Sequence, residues 1–294
     1  MPDQFDRQQF YARLRVIVRE QLVASDRLAE PVERLLEHPG KALRPALAYA
    51  VAQACGHGQL PGAIETIAAA AELLHLAALV HDDIVDEAAQ RRGVETLHRR
   101  YDTRTAVLVG DMLIGLASEL IADGASEGTL RRFGPTLRGL AESELLEYRA
   151  RGTTLEAAVA ERIAVGKAGS LFGWIAAAAA IECREWAGET AWYQWGLQLG
   201  VLYQLVDDLG DVLGIDEGKD VGLDAATGTP TLLAMIEHEH GRNGVARQMQ
   251  SLITLVRRPP ARGPALDQFI ETVCTRAQDR LSSYGEHSID ATGA

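Results

Sequence analysis

Leu79-Val80-His81-Asp82-Asp83-Ile84-Val85-Asp86 closes a stretch in which Leu73, Leu74, Ala77 and Ala78 recur at three- and four-residue steps. That period is the signature of a helix with one apolar face. Side chains four apart share a helix face, so Asp82 and Asp86 point the same way. A second stretch, Tyr203-Gln204-Leu205-Val206-Asp207-Asp208-Leu209-Gly210-Asp211, follows Leu199 and Leu202 and repeats the pattern with Asp207 and Asp211. Outward from these, no proline interrupts the chain between Pro61 and Pro135 or between Pro135 and Pro230, and both intervals are rich in Ala, Leu and Glu. Such segments favour helix. Alternating Val/Ile/Thr runs bounded by Asn-Gly or Asp-Gly turns are missing, so an all-α fold without a sheet is expected.

Breaks are expected near Pro39-Gly40, His57 to Gly62, Arg92-Gly93, Gly124, Gly134-Pro135, Arg151-Gly152, Gly188, Gly214 to Gly228, Gly241, and Arg257 to Pro264. None divides the chain cleanly. The reading is one helical domain over residues 1–285, with 286–294 as an unstructured tail. The 294 residues are 47% apolar and 24% charged, a globular balance. A net charge of −12 argues against nucleic-acid binding, which needs a basic face. It leaves room for a phosphorylated small molecule held by local cations or metal. Cys55, Cys183 and Cys274 are few and far apart in sequence, with no disulfide framework legible, which fits a cytoplasmic location. No secretory signal is apparent, and the longest apolar run, Ser170 to Ile181, is too short to span a bilayer. No membrane span is expected.

Two carboxylates one helix turn apart repel unless a cation lies between them. Oxygen ligands of this kind suit Mg²⁺, which keeps several waters and bridges to substrate phosphates. A solvated acidic helix face is the plainer reading of one such cluster, but two of them, each following an apolar helix turn, favour metal. Basic residues accompany the clusters. Lys41 and Arg44 lie three apart in Gly40-Lys41-Ala42-Leu43-Arg44-Pro45, Arg91-Arg92-Gly93 follows the first cluster, His75 precedes it by two turns, and Lys167 and Lys219 complete the set. Any one of them alone reads as a surface cation or a core histidine; together they make two anion sites.

In these motifs the chain resembles the trans-polyprenyl diphosphate synthase family. The resemblance runs from about Lys41 to Thr231 and also covers Leu74-His75, Gly110-Asp111 and Gly218-Lys219. It implies an all-α bundle around a deep central cavity, commonly a homodimer. It also implies that several Mg²⁺ ions are held by Asp82, Asp86 and Asp207, with Asp83, Asp208 and Asp211 in support. By the same resemblance Arg91, Lys167 and Lys219 would hold an allylic diphosphate. Lys41, Arg44, His75 and Arg92 would hold isopentenyl diphosphate, and Gln204 would face the developing carbocation. Asp82, Asp86, Asp207, Lys167 and Gln204 are then the catalytic set.

In the family, bulky aromatics just before the first cluster accompany short products. Ala77 and Ala78 there imply a medium or long product, of five to eight isoprene units. A short-chain farnesyl or geranylgeranyl diphosphate synthase, a class I terpene cyclase and a regulatory subunit stay open as alternatives. The chain departs from the family pattern at Glu147 (for Gln), Ala168 (for Thr), Glu95 (for Pro), Asp102 (for Gly) and Thr229 (for Lys), and after Thr231 it lacks the usual tail pattern. His238-Glu239-His240 is read as surface, because a spacing of two puts the imidazoles on different sides of a helix.

Overall fold

A computed structural model describes residues 5–22, 26–38, 40–56, 60–153, 157–185, 188–215 and 231–286. Lys219, Gly218, Thr229 and the tail from His287 lie outside the described residues. The order is α1 (Arg7–Gln21), α2 (Asp26–Glu37), α3 (Leu43–Ala54), α4 (Gly62–Val85), a short hairpin of β1 (Gln90–Arg91) and β2 (Val94–Glu95), α5 (Leu97–Arg100), α6 (Thr103–Gly124), α7 (Glu127–Ala150), α8 (Ala157–Ala164), a π-helical turn (Val165–Gly169), α9 (Ser170–Glu182), α10 (Glu189–Leu213), α11 (Leu232–Val256) and α12 (Pro264–Glu286).

Two helices form the centre. In α4, Ile67 to Leu74 are buried without a gap, and in α9 every residue from Ser170 to Ile181 is buried. A helix apolar on all sides belongs inside. α9 packs between α3, α4, α7 and α10, so it separates the helix that carries the first acidic cluster from the helix that carries the second. The crossing of α9 on α10 is close because both sides are glycine. A Cβ on Gly200 would sit 2.6 Å from Gly169 Cα, and one on Gly196 would sit 2.6 Å from Phe172 O. No side chain fits at those distances, so the crossing holds Lys167, just before Gly169, in fixed relation to α10.

Three features differ from the sequence reading. The chain does contain a two-stranded hairpin, with Gln90 opposite Glu95 and Arg91 opposite Val94. Its turn is Arg92-Gly93, with φ of 54° and 75°, the primed geometry that matches strand twist. Two-residue strands carry no alternation to read. The Ser170–Ile181 run is the end of a continuous helical stretch, Ala158–Glu182, long and apolar enough by composition to cross a membrane; Gly62–Val85 and Thr103–Gly124 are as well. Burial explains the composition of two of them: the apolar windows are 83% and 67% buried by other helices, so α9 and α4 are apolar because they are core. Cys55 and Cys183, far apart in sequence, end α3 and α9 side by side; neither is in a disulfide, and a hydrogen bond to Cys183 raises the Cys55 thiol.

Local chemistry sets the boundaries. Asp102, a departure from the family's glycine, caps α6 by accepting from Thr105 N at 2.9 Å. Thr231 caps α11 from Ala234 N at 3.1 Å. The break expected at Gly241 is a non-helical residue inside α11, with φ 64°.

Candidate active site

The first cluster ends α4. Asp86 is the C-cap, and its N–H still donates to Asp82 O at 2.8 Å, so the two carboxylates keep the one-turn spacing. Asp83 points the other way, into the fold, where it is 6% exposed and accepts from Arg91 Nε at 2.6 Å. Asp86 is met by Arg151 Nη2, while Arg151 Nη1 donates to Val85 O at 3.0 Å. Lys167 stands on the π turn. Its Nζ bonds Glu147 and lies 3.1 Å from Glu144 Oε2, both on α7. Burial alone would push Lys167 down, but Asp82, Glu147 and Glu144 together raise it well above its usual range. Lys167 is therefore a firmly held cation within electrostatic reach of Asp82, on the kind of helix irregularity that recurs at functional sites.

The second cluster lies on α10. Asp208 is 4% exposed and accepts from Gln204 Nε2 at 2.8 Å. Asp207 is half-buried, with Arg276 Nη2 of α12 at 3.8 Å, and Asp211 is half-buried one turn on. The amide of Gln204 is thus turned onto Asp208, where the resemblance has it facing a carbocation. Asp83 and Asp208, expected to support the metal ligands, are buried one residue along from Asp82 and Asp207 and bond Arg91 and Gln204. Arg91, expected on the allylic diphosphate, is occupied by Asp83.

The basic loops meet between the clusters. Arg44 stacks over the Phe172 ring, 5.2 Å from its centre. Burial draws the Arg44 guanidinium down, while Glu72 on α4 and Tyr203 and Asp207 on α10 push it back up. Arg92 Nη1 donates to His38 O at 3.0 Å, and its guanidinium packs so tightly on Gly40 that a Cβ there would lie 2.5 Å from Nη2. Ala42, between Lys41 and Leu43, takes the left-handed φ of 52°, as Arg92 does at 54°. Both basic stretches thus carry a non-glycine residue in the left-handed region, Arg92 as part of its hairpin turn. Lys41 is exposed on its loop, and His75 is half-buried on α4.

Comparison with known proteins decides what this geometry belongs to. The model of the family described as polyprenyl synthetase matches residues 25–271. This chain belongs to the polyprenyl synthetase family. An all-trans-nonaprenyl-diphosphate synthase (geranyl-diphosphate specific) of Rhodobacter capsulatus is 32% identical over 241 residues, 76% of this chain and 73% of that protein. The chain spans only 56% of a longer mouse relative, the all trans-polyprenyl-diphosphate synthase PDSS1, at 29% identity over 74% of this chain. Among solved structures, a Caulobacter crescentus polyprenyl synthase complexed with calcium and isoprenyl diphosphate superposes with a TM-score of 0.73 at 27% identity, covering 96% of this chain and 86% of that one. A Lactobacillus brevis geranylgeranyl pyrophosphate synthase shares the fold at a TM-score of 0.75 and 21% identity, over 91% and 96% of the two chains. The polyprenyl synthetase chain described here is accordingly a trans-prenyltransferase making polyprenyl diphosphates. Long-chain and short-chain enzymes share its fold.

Its carboxylates fit a divalent cation by chemistry rather than as a finished cage. Among the described residues, no three His, Cys, Asp or Glu side chains converge on one point. Mg²⁺ does not require that, since one or two carboxylates plus substrate phosphates and water complete its octahedron. The first cluster is also more acidic than its own cations can balance. Burial, with Asp82 and Asp86 adding repulsion against the pull of Arg91, pushes the Asp83 carboxyl up to about 6. Burial and Asp82 push Glu144 up to about 7 against the pull of Lys167. A cation bound to Asp82 and Asp86 relieves both.

A pH prediction follows from these two groups. Their folded values lie above the ordinary carboxyl values of about 3.9 and 4.3. Between about pH 4 and 7 the folded chain of this family member therefore holds more protons than the unfolded one, and its stability falls as pH rises through that window. The metal-free protein is expected to melt a few degrees lower at about pH 8 than at about pH 5.5. Added Mg²⁺ with pyrophosphate should narrow the gap; calorimetry that shows no gap in metal-free protein contradicts the over-acidic site.

Several site residues carried no signal in the sequence reading. Arg151 and Arg276 reach the clusters from 65 and 69 residues away, and nothing local marks either. Glu144 sits one turn from Glu147, which does stand out as a departure from the family pattern.

Proposed function

We propose that the chain condenses an allylic prenyl diphosphate with isopentenyl diphosphate and makes an all-trans medium- or long-chain polyprenyl diphosphate. The observation that carries this is the position of Arg44, which feels Glu72 on α4 and Asp207 on α10 at once. It is a half-buried cation within electrostatic reach of the helices of both acidic clusters, and it suits a diphosphate that is not held by metal. Asp82, Asp86, Asp207 and Asp211 are the carboxylates placed to hold Mg²⁺. Bound there, the ion supplies Lewis-acid stabilisation of charge gathering on the departing pyrophosphate. Lys167, Arg91 and Lys219 orient the allylic diphosphate, Arg91 by exchanging Asp83 for phosphate. Lys41, Arg44, His75 and Arg92 orient isopentenyl diphosphate so that its double bond faces the allylic carbon. The allylic C–O bond breaks, the new C–C bond forms, and a proton leaves to the pyrophosphate. Fixed cations stabilise the leaving charge at no reorganisation cost, the largest contribution in catalysis of this kind.

Two further parts belong to this reading. Ala77 and Ala78 leave space before the first cluster, and the nonaprenyl relative is in keeping with a long product. α6 and α7 turn Val107, Leu108, Leu130, Leu145 and Tyr148 outward, an exposed apolar surface suited to a second copy of the chain. The test is purified protein with Mg²⁺, isopentenyl diphosphate and a series of allylic diphosphates, with products sized by mass spectrometry. Elongated diphosphates of five to eight isoprene units are expected, from a species twice the 31.8 kDa chain mass by light scattering. Products of three or four units would make it a short-chain synthase. A hydrocarbon formed without isopentenyl diphosphate would make it a cyclase, and turnover only with another chain would make it a subunit.

A further inference from the structure

Ten residues before Asp82, in the most apolar part of α4, stands a carboxylate that no step above uses. Glu72 is 1% exposed and is flanked by Ala68 to Ala71 and by Leu73 and Leu74, all buried. An ionisable group so placed must be paired. Tyr11 of α1, 3% exposed, donates its hydroxyl to Glu72 Oε1. Beyond that bond, the positive charges Glu72 feels are the guanidiniums of Arg44 and Arg92. Burial pushes its carboxyl up, while the Tyr11 hydroxyl, Arg44 and Arg92 pull it back down. The Tyr11 hydroxyl is held in its protonated form by burial and by Glu72, and it also takes a backbone hydrogen bond from Gly40, the residue on which Arg92 packs.

The arrangement links four pieces of chain: α1 through Tyr11, α4 through Glu72, α3 through Arg44, and the hairpin through Arg92. Arg44 and Arg92 repel one another, each drawn together without a substrate. Arg44 Nε is buried with no hydrogen-bond partner among the described residues. Arg92 is held on its outer side by His38 O and by Gly40. Two cations set to receive a diphosphate need a fixed counter-charge on the protein side, or they turn away from each other before substrate arrives.

We propose that Glu72, locked by the Tyr11 hydroxyl, is the positioning residue of the isopentenyl site, aiming Arg44 and Arg92 at the metal-free diphosphate. Neither residue touches substrate. Glu72 acts through the two arginines, and Tyr11 acts through Glu72. The role is specific to one of the two substrates, because Lys167, proposed for the allylic diphosphate, takes its charge partners from Asp82, Glu147 and Glu144, whereas Glu72 acts on Arg44 and Arg92.

The inference rests on the prenyl-transfer reading, and the experiment separates the two. Isopentenyl diphosphate is titrated calorimetrically into metal-free protein with a chelator present, and steady-state KM is measured for each substrate with Mg²⁺. Glu72→Gln should raise the KM and Kd for isopentenyl diphosphate at least tenfold and leave the allylic KM within twofold. Tyr11→Phe, which deletes one hydroxyl, should raise the isopentenyl values about threefold. Glu72→Asp should recover part of the loss. If Glu72→Gln does not fold, Tyr11→Phe decides alone. Equal changes in both KM values, or none in a folded variant, overturn the inference. Wild-type protein that neither binds nor elongates isopentenyl diphosphate overturns the functional reading instead.

Discussion

Asp82→Ala is expected to lower prenyl transfer by roughly 10²–10³-fold, the scale seen when one electrostatic stabiliser of a transition state is removed. The helical circular dichroism spectrum should be unchanged. Asp82 is half-buried at the end of α4, and its charge raises the Asp83 and Glu144 carboxyls. Removing it relieves that repulsion while taking from Lys167 one of its three stabilising carboxylates, so the two effects oppose and the metal-free variant should melt within a few degrees of wild type. A structural residue behaves in the opposite way, losing activity and stability together. Loss of Mg²⁺ dependence should accompany the loss of rate. Full activity in a folded variant contradicts the metal assignment, and an unfolded spectrum means that Asp82 is holding the helix end rather than a cation. Asp86→Ala is a harder case, because it also strands the Arg151 guanidinium that bonds Asp86.

The parts of this site that the sequence makes legible are local in the chain. The spacing of Asp82 and Asp86 is a property of one helix, and it survives to the last residue of α4 because the Asp86 N–H keeps its bond to Asp82 O. Partners that arrive through packing are not legible in the same way. Arg151, in the break that ends α7, and Arg276, within α12, become site residues only when those helices dock. Lys167 reads as a helical residue. Its π turn ends at Gly169, which meets Gly200 of α10 too closely for any Cβ, a contact between residues 31 apart. Glu72 is intermediate. A glutamate inside an unbroken run of buried alanines and leucines is a conflict within its own helix, and such conflicts mark functional or strained sites. What resolves it, the hydroxyl of Tyr11, lies 61 residues earlier.

The other large effect concerns product length, and α4 decides how to test it. Ala78 lies one turn before Asp82 on the same face and is half-buried, whereas Ala77 is 1% exposed. A benzyl group at Ala78 starts from the half-buried face that carries the first cluster, where it displaces less packed protein than at Ala77. Ala78→Phe should therefore shorten the main product by at least two isoprene units with the melting temperature within a few degrees of wild type. At Ala77 the same group enters the core and costs about 1–3 kcal/mol of overpacking. Ala77→Phe should also shorten the product, with a melting temperature lower by several degrees. If the alanines serve only to let helices approach, both variants lose stability and neither changes product length. If they are the open floor of an elongation channel, length falls in both and stability falls chiefly in one. Mass spectra of the product mixture, read beside the two melting curves, separate these outcomes because the two alanines differ in burial while sharing the same distance from the ionising centre to within a single residue step.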